Sequence, residues 1–163
     1  MHDNNSAIAV TAEANPGPDR TPNARLADLA AATHRFLTRH ASLPAISHCR
    51  QQDGMRDVIG DIELLLAGDG GNVADAAIWA RALDTAVRFR RHPDYQYVDV
   101  SVWTEADGHQ VRIWDHMDPL AAYDLLASLG LELTEVPVRV DPARLLELPP
   151  VPAVDGQPRE EAS

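Results

Sequence analysis

Lysine is absent from this 163-residue chain, and cysteine occurs once. All 14 basic residues are arginine, set against 25 acids, for a formal charge of -11. That balance repels nucleic acid and anionic membranes at long range, because a protein that grips phosphates must neutralise them locally. Direct nucleic-acid binding is therefore not expected. The lone Cys49 cannot close an internal disulfide, and no cysteine pair stands at zinc-ligand spacing, so neither a disulfide framework nor a zinc ribbon is available. No stretch approaches the roughly 18 consecutive apolar residues of a membrane-spanning helix. Residues 1–5 lack the cationic start and apolar run of a secretory signal. The expectation is a cytoplasmic protein with a reduced, buried thiol and no membrane association. Aromatic residues make up only 5% of the sequence, so a place where they gather carries information.

With 45% hydrophobic and 24% charged residues, the composition is that of an ordinary globular domain, which excludes a collagen-like repeat and whole-chain disorder. Residues 1–20 and 149–163 are rich in proline and lack apolar periodicity, and both read as disordered tails, the second ending in adjacent glutamates. One domain is expected over residues 21–148. No internal repeat interrupts it.

Thr21 and Pro22 are suited to the cap and first turn of a helix, whose apolar stripe is Leu26, Leu29, Ala30, Thr33, Phe36, Leu37 and His40. His40 then falls at the helix end, where a cation suits the dipole. Pro44 stops the helix. Two strand-like runs, 45–51 and 58–67, flank the turn-forming Asp53-Gly54. A glycine-rich break at 68–72 precedes a helical face of Val73, Ala76, Ala77, Ala80 and Leu83; it lacks the Gly-Lys-Ser/Thr ending of a phosphate loop, so it reads as an ordinary strand-to-helix turn. Three strands follow, over 85–91, 95–104 and 109–117. Asp107-Gly108 joins the last two, a pair suited to the positive φ angles of a tight hairpin turn. Asp118-Pro119 starts a helix with Leu120, Tyr123, Leu126 and Ala127 inward, closed by Gly130. A last strand within 131–140 and a short helix over 142–148 complete the domain. The fold class is α+β: a mainly antiparallel sheet of five to six strands with two to three helices on one face, in the order α-ββ-α-βββ-α-β.

The helix Val73-Ala74-Asp75-Ala76-Ala77-Ile78-Trp79-Ala80-Arg81-Ala82-Leu83, followed by a hairpin ending Val111-Arg112-Ile113-Trp114-Asp115-His116, resembles a loose group of small proteins encoded in GC-rich actinomycete genomes and their phages or integrative elements. The resemblance covers about half the chain. It implies a small α+β domain and brings no activity or catalytic motif with it.

A two-residue turn at Asp107-Gly108 pairs Ala106 with His109 and fixes each cross-strand partner. Val98, Val100, Val102, Val111, Ile113 and Met117 then share one face, which must be covered by the helices. Tyr97, Asp99, Ser101, Trp103, Arg112, Trp114 and His116 share the other. Trp103 stands directly opposite Arg112, which suits guanidinium-on-indole stacking. Asp99 stands opposite His116, where a carboxylate would favour the imidazolium. Arg88 and Arg90 join this face if their strand lies alongside. Two readings compete: a solvated sheet face whose long side chains lie flat on one another, or a recognition surface, since aromatic and arginine side chains are enriched where proteins anchor partners.

Few residues point to chemistry. His109 and His116 are about 23 Å apart along an extended strand at about 3.3 Å per residue, too far to share a metal ion. Adjacent His48 and Cys49 point to opposite faces, which defeats a catalytic pair. Ser101, His116 and Asp99 form the one set resembling a nucleophile, base and orienting carboxylate. The expected function is a small non-enzymatic interaction or regulatory protein using Trp103, Arg112, Trp114, Tyr97, Arg88 and Arg90 against a protein partner or a second copy of itself, with no cofactor and no metal. An enzyme centred on His116 and Asp99, and an acidic mimic of nucleic acid motivated by the net charge, are the alternatives.

Overall fold

Alternation along the two longest strands decides the architecture. In β4 (Val98–Ala106) and β5 (His109–Met117) the alternate residues Val98, Val100, Val102, Val111, Ile113 and Met117 are buried on one face together with Asp115, and the residues between them are polar or aromatic and at least partly accessible apart from the buried Ser101. Asp107 and Gly108 both take positive φ, 51° and 79°, the geometry that lets two residues reverse the chain without splaying the strands. The pairing follows the expected register from Ala106↔His109 through Asp99↔His116 to Val98↔Met117.

Around this hairpin the computed structural model, which describes residues 22–52, 60–68, 71, 73–92 and 96–149, shows an α+β domain. In chain order the elements are α1 (Pro22–Arg39), β1 (Ile46–Gln51), β2 (Ile62–Leu66), α2 (Val73–Ala82), β3 (Val87–Arg91), β4, β5, α3 (Pro119–Ser128), β6 (Val138–Val140) and α4 (Pro142–Leu146). The six strands form one sheet in the order β1-β2-β5-β4-β3-β6. The sheet is mixed rather than purely antiparallel, because β2 runs parallel to β5. Two antiparallel steps on from β5, β3 also runs parallel to β2, so the β2-α2-β3 segment is a helical crossover of the kind parallel strands require. The β4–β5 hairpin is inserted between the two strands it joins.

The core lies between one sheet face and the helices. Ile62, Leu64, Val87, Phe89, Val100, Val102, Val111 and Ile113 meet Leu29, Phe36, Ala76, Ala77, Trp79, Ala80 and Leu126 there. Alanines at three positions of α2 let its backbone approach the sheet closely. Trp79, 1% exposed, stacks on Phe36 with ring centroids 5.9 Å apart and donates its indole N–H to the Pro44 carbonyl at 3.0 Å. That bond ties α2 to the turn after α1.

Several expectations need correction. In α3 the buried residues are Ala122, Leu125 and Leu126, whereas Leu120 is 70% exposed and Tyr123 and Ala127 face outward. The small Ala122 sets the contacting face, and the Tyr123 hydroxyl accepts a hydrogen bond from Arg91 instead of entering the core. In α1 the buried stripe is Leu29, Ala32, Thr33 and Phe36; Leu26 and Ala30 are exposed. Val136 is exposed, and the last strand shrinks to three residues. Cys49 is exposed on the edge strand β1 rather than buried, although the partial burial of its sulfur pushes the thiol up from its ordinary value. His40 is not a helix-end cation: its ring lies 4.8 Å from Phe36 and 5.8 Å from Trp79, and burial, followed by the Arg39 guanidinium, holds it below the ordinary imidazole value. The Thr21 cap, the Asp53-Gly54 turn, most of the glycine-rich break and both tails except Pro149 lie outside the described residues. Among the described residues no helix is long and apolar enough to cross a membrane.

Replacing Trp79 with Ala removes the largest fully buried side chain and should cost about 3–5 kcal/mol of unfolding free energy in urea titration. For His40, a value depressed in the folded state means that stability is complete above the unfolded value of roughly 6.5 and falls as pH drops below it. The loss of melting temperature between pH 7.5 and 5.5 should accordingly be smaller in His40→Gln than in wild type; equal losses would show that His40 titrates alike in both states.

Candidate functional site

The sheet face opposite the helices carries its side chains in rows set by the pairing. One row runs Arg50, Glu63, Arg112, Trp103 across β1, β2, β5 and β4; the next runs His48, Leu65, Trp114, Ser101, Arg88, Arg139 across all six strands; a third runs His116, Asp99, Arg90 across β5, β4 and β3. All six residues expected to form a recognition surface, Tyr97, Trp103, Trp114, Arg88, Arg90 and Arg112, line one depression of about 280 Å³ on this face. Asp99 and Ser101 line it as well.

Arg112 is its centre. The guanidinium Nη1 donates to both oxygens of Glu63 at 3.1 Å, and Nη2 donates to Asp99. The three side chains are only 10–17% exposed. To reach Asp99 the Arg112 arm runs along the strand, and its charged carbon sits 4.9 Å from the Trp114 ring centroid and 5.8 Å from that of Trp103. The Arg88 guanidinium stands 5.7 Å from the Trp103 ring. The guanidinium-on-indole contact expected from the register is present, with a second indole added. Charge–π attraction supplements two ion pairs that sit largely out of water.

The Asp99 carboxylate is also bonded to the Ser101 hydroxyl, which donates at 3.0 Å and accepts the Trp103 indole N–H at 3.3 Å. The expected Asp99–His116 pairing does not form, although the two residues stand opposite each other in register. Asp99 turns to Arg112, whose permanent charge and forked donors outcompete an imidazole. His116 instead lies 3.4 Å from Asp115 through Nδ1 and meets the Tyr97 ring edge at 5.9 Å. Ser101, His116 and Asp99 are therefore not wired as a base-activated nucleophile: the serine hydroxyl gives its hydrogen to Asp99, and His116 lies outside the depression's lining.

Sequence reasoning missed Arg50, Gln52, Glu63, His92 and Pro137, which also line the depression. Glu63 had one visible signal, a single acid inside the otherwise apolar Ile62-Glu63-Leu64-Leu65-Leu66. A charge in such a strand is retained only where a partner waits. Gly60 makes that partnership possible: a Cβ there would lie 3.1 Å from the backbone of Arg112 and Gln110, and the Gly60 N–H donates to Glu63 at 3.1 Å. At the other side of the face, Arg88 stands opposite Arg139, and burial, followed by the charge of Arg139, holds its guanidinium below the ordinary value. An arginine so placed remains cationic.

Elsewhere, a more open hollow between α2 and α4 brings together no aromatic side chain. Among the described residues, no cluster of three His, Cys, Asp or Glu side chains is arranged to hold a metal ion. No protein-family model matches the chain, and comparison with curated proteins and with solved structures gives no significant match.

Arg112→Met should leave the buried Glu63 and the half-buried Asp99 without their cation and cost about 3 kcal/mol. The triple change Glu63→Gln, Asp99→Asn and Arg112→Met should recover most of that loss. Urea titration of both variants checks this; a triple variant no more stable than the single one would assign the loss to packing of the Arg112 stem instead.

Proposed function

We propose that this chain is a small interaction protein, without catalytic activity of its own, that engages a protein partner through the open sheet face centred on Arg112. One observation carries the reading: the two indoles, the tyrosine and the three arginines at issue converge on a single depression instead of being scattered over the face. A merely solvated face needs no such convergence, whereas aromatic and arginine side chains gathered in a partly desolvated hollow have the composition of a binding hot spot. Arg112 and the indoles hold one another in place, so little side-chain entropy is lost when a partner docks. The exposed thiol of Cys49 suits a reducing compartment, and the proposal takes the protein to be cytoplasmic. A second copy of the chain is the alternative occupant of the same face.

The enzyme reading loses its main support with the Asp99–His116 pair. The nucleic-acid-mimic reading requires carboxylates exposed in a stripe, yet on this face Glu63 and Asp99 are turned inward to Arg112.

Affinity capture from native lysate with the wild-type chain and with Trp103→Ala/Trp114→Ala tests the proposal, with sedimentation velocity reporting self-association. The double variant should lose the captured partner or the dimer. Because both indoles are only half-buried, unfolding free energy should fall by less than the roughly 3–5 kcal/mol of a fully buried aromatic. Capture and sedimentation unchanged from wild type would reject the face as the binding surface.

A further inference from the structure

The depression is positively charged within an acidic protein. Four guanidinium groups line it, Arg50, Arg88, Arg90 and Arg112, against two carboxylates, Glu63 and Asp99. Both carboxylates are engaged by Arg112. Arg50 stands opposite Glu63 in register, and Arg90 opposite Asp99, yet neither forms an ion pair with it. Among the described residues, then, two positive charges of the lining are left uncompensated. In addition Arg88 directly faces Arg139, an apposition of like charges that destabilises a sheet unless something offsets it. Among the described residues the Nε donors of Arg90 and Arg112 are buried without an acceptor, and unmet donors of this kind cost stability.

We infer that this depression is a binding site for a small oxyanion carrying two negative charges, of the phosphate-monoester or dicarboxylate class. The inference rests on reading the open face as a recognition surface and names the chemical group that surface takes. Planar guanidinium forks match the paired oxygens of both classes, and several forks converging on one hollow suit a doubly charged group better than a single carboxylate. The volume of about 280 Å³ lies just below the range of roughly 300–1,000 Å³ typical of drug-sized ligands, which fits a compact group. A long polyanion is disfavoured by the net charge of -11. A small dianion seated among the arginines is governed by charges within the screening length of about 8 Å, where guanidinium groups prevail.

The site carries its own reporter. Trp103 and Trp114 line the depression, and the third tryptophan, Trp79, is buried in the core on the helix side. Intrinsic fluorescence of the full chain, titrated with inorganic phosphate and separately with malonate at constant ionic strength, should change saturably with at least one of them and not with sodium chloride. The tighter of the two identifies the class. Arg88→Gln and Arg90→Gln should each weaken binding about tenfold, the loss of one charge-assisted hydrogen bond. Arg50→Gln, on the exposed edge strand β1 four strands from Arg88 and Arg90, should weaken it less, through loss of nearby positive charge alone, and the distant Arg81→Gln should have no effect. No saturable change with either dianion, or midpoints unaltered by all three depression variants, would overturn the inference. The outcome separates from that of the broader reading: a failed titration with partner capture still lost on removal of Trp103 and Trp114 removes the anion site alone, whereas saturable dianion binding with capture unaffected removes the protein-docking role alone.

Discussion

The open face depends on one largely desolvated cation. Arg112 holds Glu63 from β2 and Asp99 from its own hairpin, so three strands are tied through a single guanidinium. Taking these charges out of water consumes most of what their attraction returns, and the net gain in stability from such an arrangement is small. Its structural consequence is register. A one-residue slip of β2 against β5 would turn Glu63 into the apolar layer under the helices and leave Arg112 facing Asp99 alone. Gly60 serves the same end, since a Cβ there would lie 3.1 Å from the Arg112 and Gln110 backbone and push the entry of β2 away from β5.

What was legible in the sequence is what local geometry determines. Asp107-Gly108 and the valine alternation on either side specify the β4–β5 hairpin, its register and the two sets of residues facing opposite ways, and Tyr97, Trp103, Arg112 and Trp114 follow from that alternation, whereas Arg88 and Arg90 join them only because β3 pairs alongside β4. The depression was not legible, because it is completed by β1 and β2. These strands join the hairpin through a parallel pairing that leaves no mark in local periodicity. Glu63 and Arg50 are distant from Arg112 in sequence, and no spacing rule connects them. The Asp99–His116 expectation failed for a related reason: register places partners opposite each other, but the longest and most strongly charged side chain decides which carboxylate it takes. In α3, Leu120 and Leu125 are equally apolar on paper. The inward face is chosen by which side can approach the sheet, and Ala122 decides it.

Exclusive use of arginine bears on how an acidic protein can carry a cationic hollow. A lysine ammonium is compact and strongly hydrated, and at the position of Arg112 it could neither fork to Glu63 while reaching Asp99 nor lie flat on two indoles. Guanidinium groups tolerate partial dehydration and stack on aromatic rings, so Arg88 and Arg112 can both lie against Trp103. Glu63 and Asp99 together outweigh Arg112 by one charge, so with Arg50, Arg88 and Arg90 the guanidinium groups of the lining exceed its carboxylates by two. The remaining surface keeps its acidic character and its long-range repulsion of polyanions. Selectivity then arises from a difference of length scales: distant approach of anionic polymers is opposed by the whole chain, while a compact dianion that has reached the hollow meets arginines on several sides and an indole floor already locked in position.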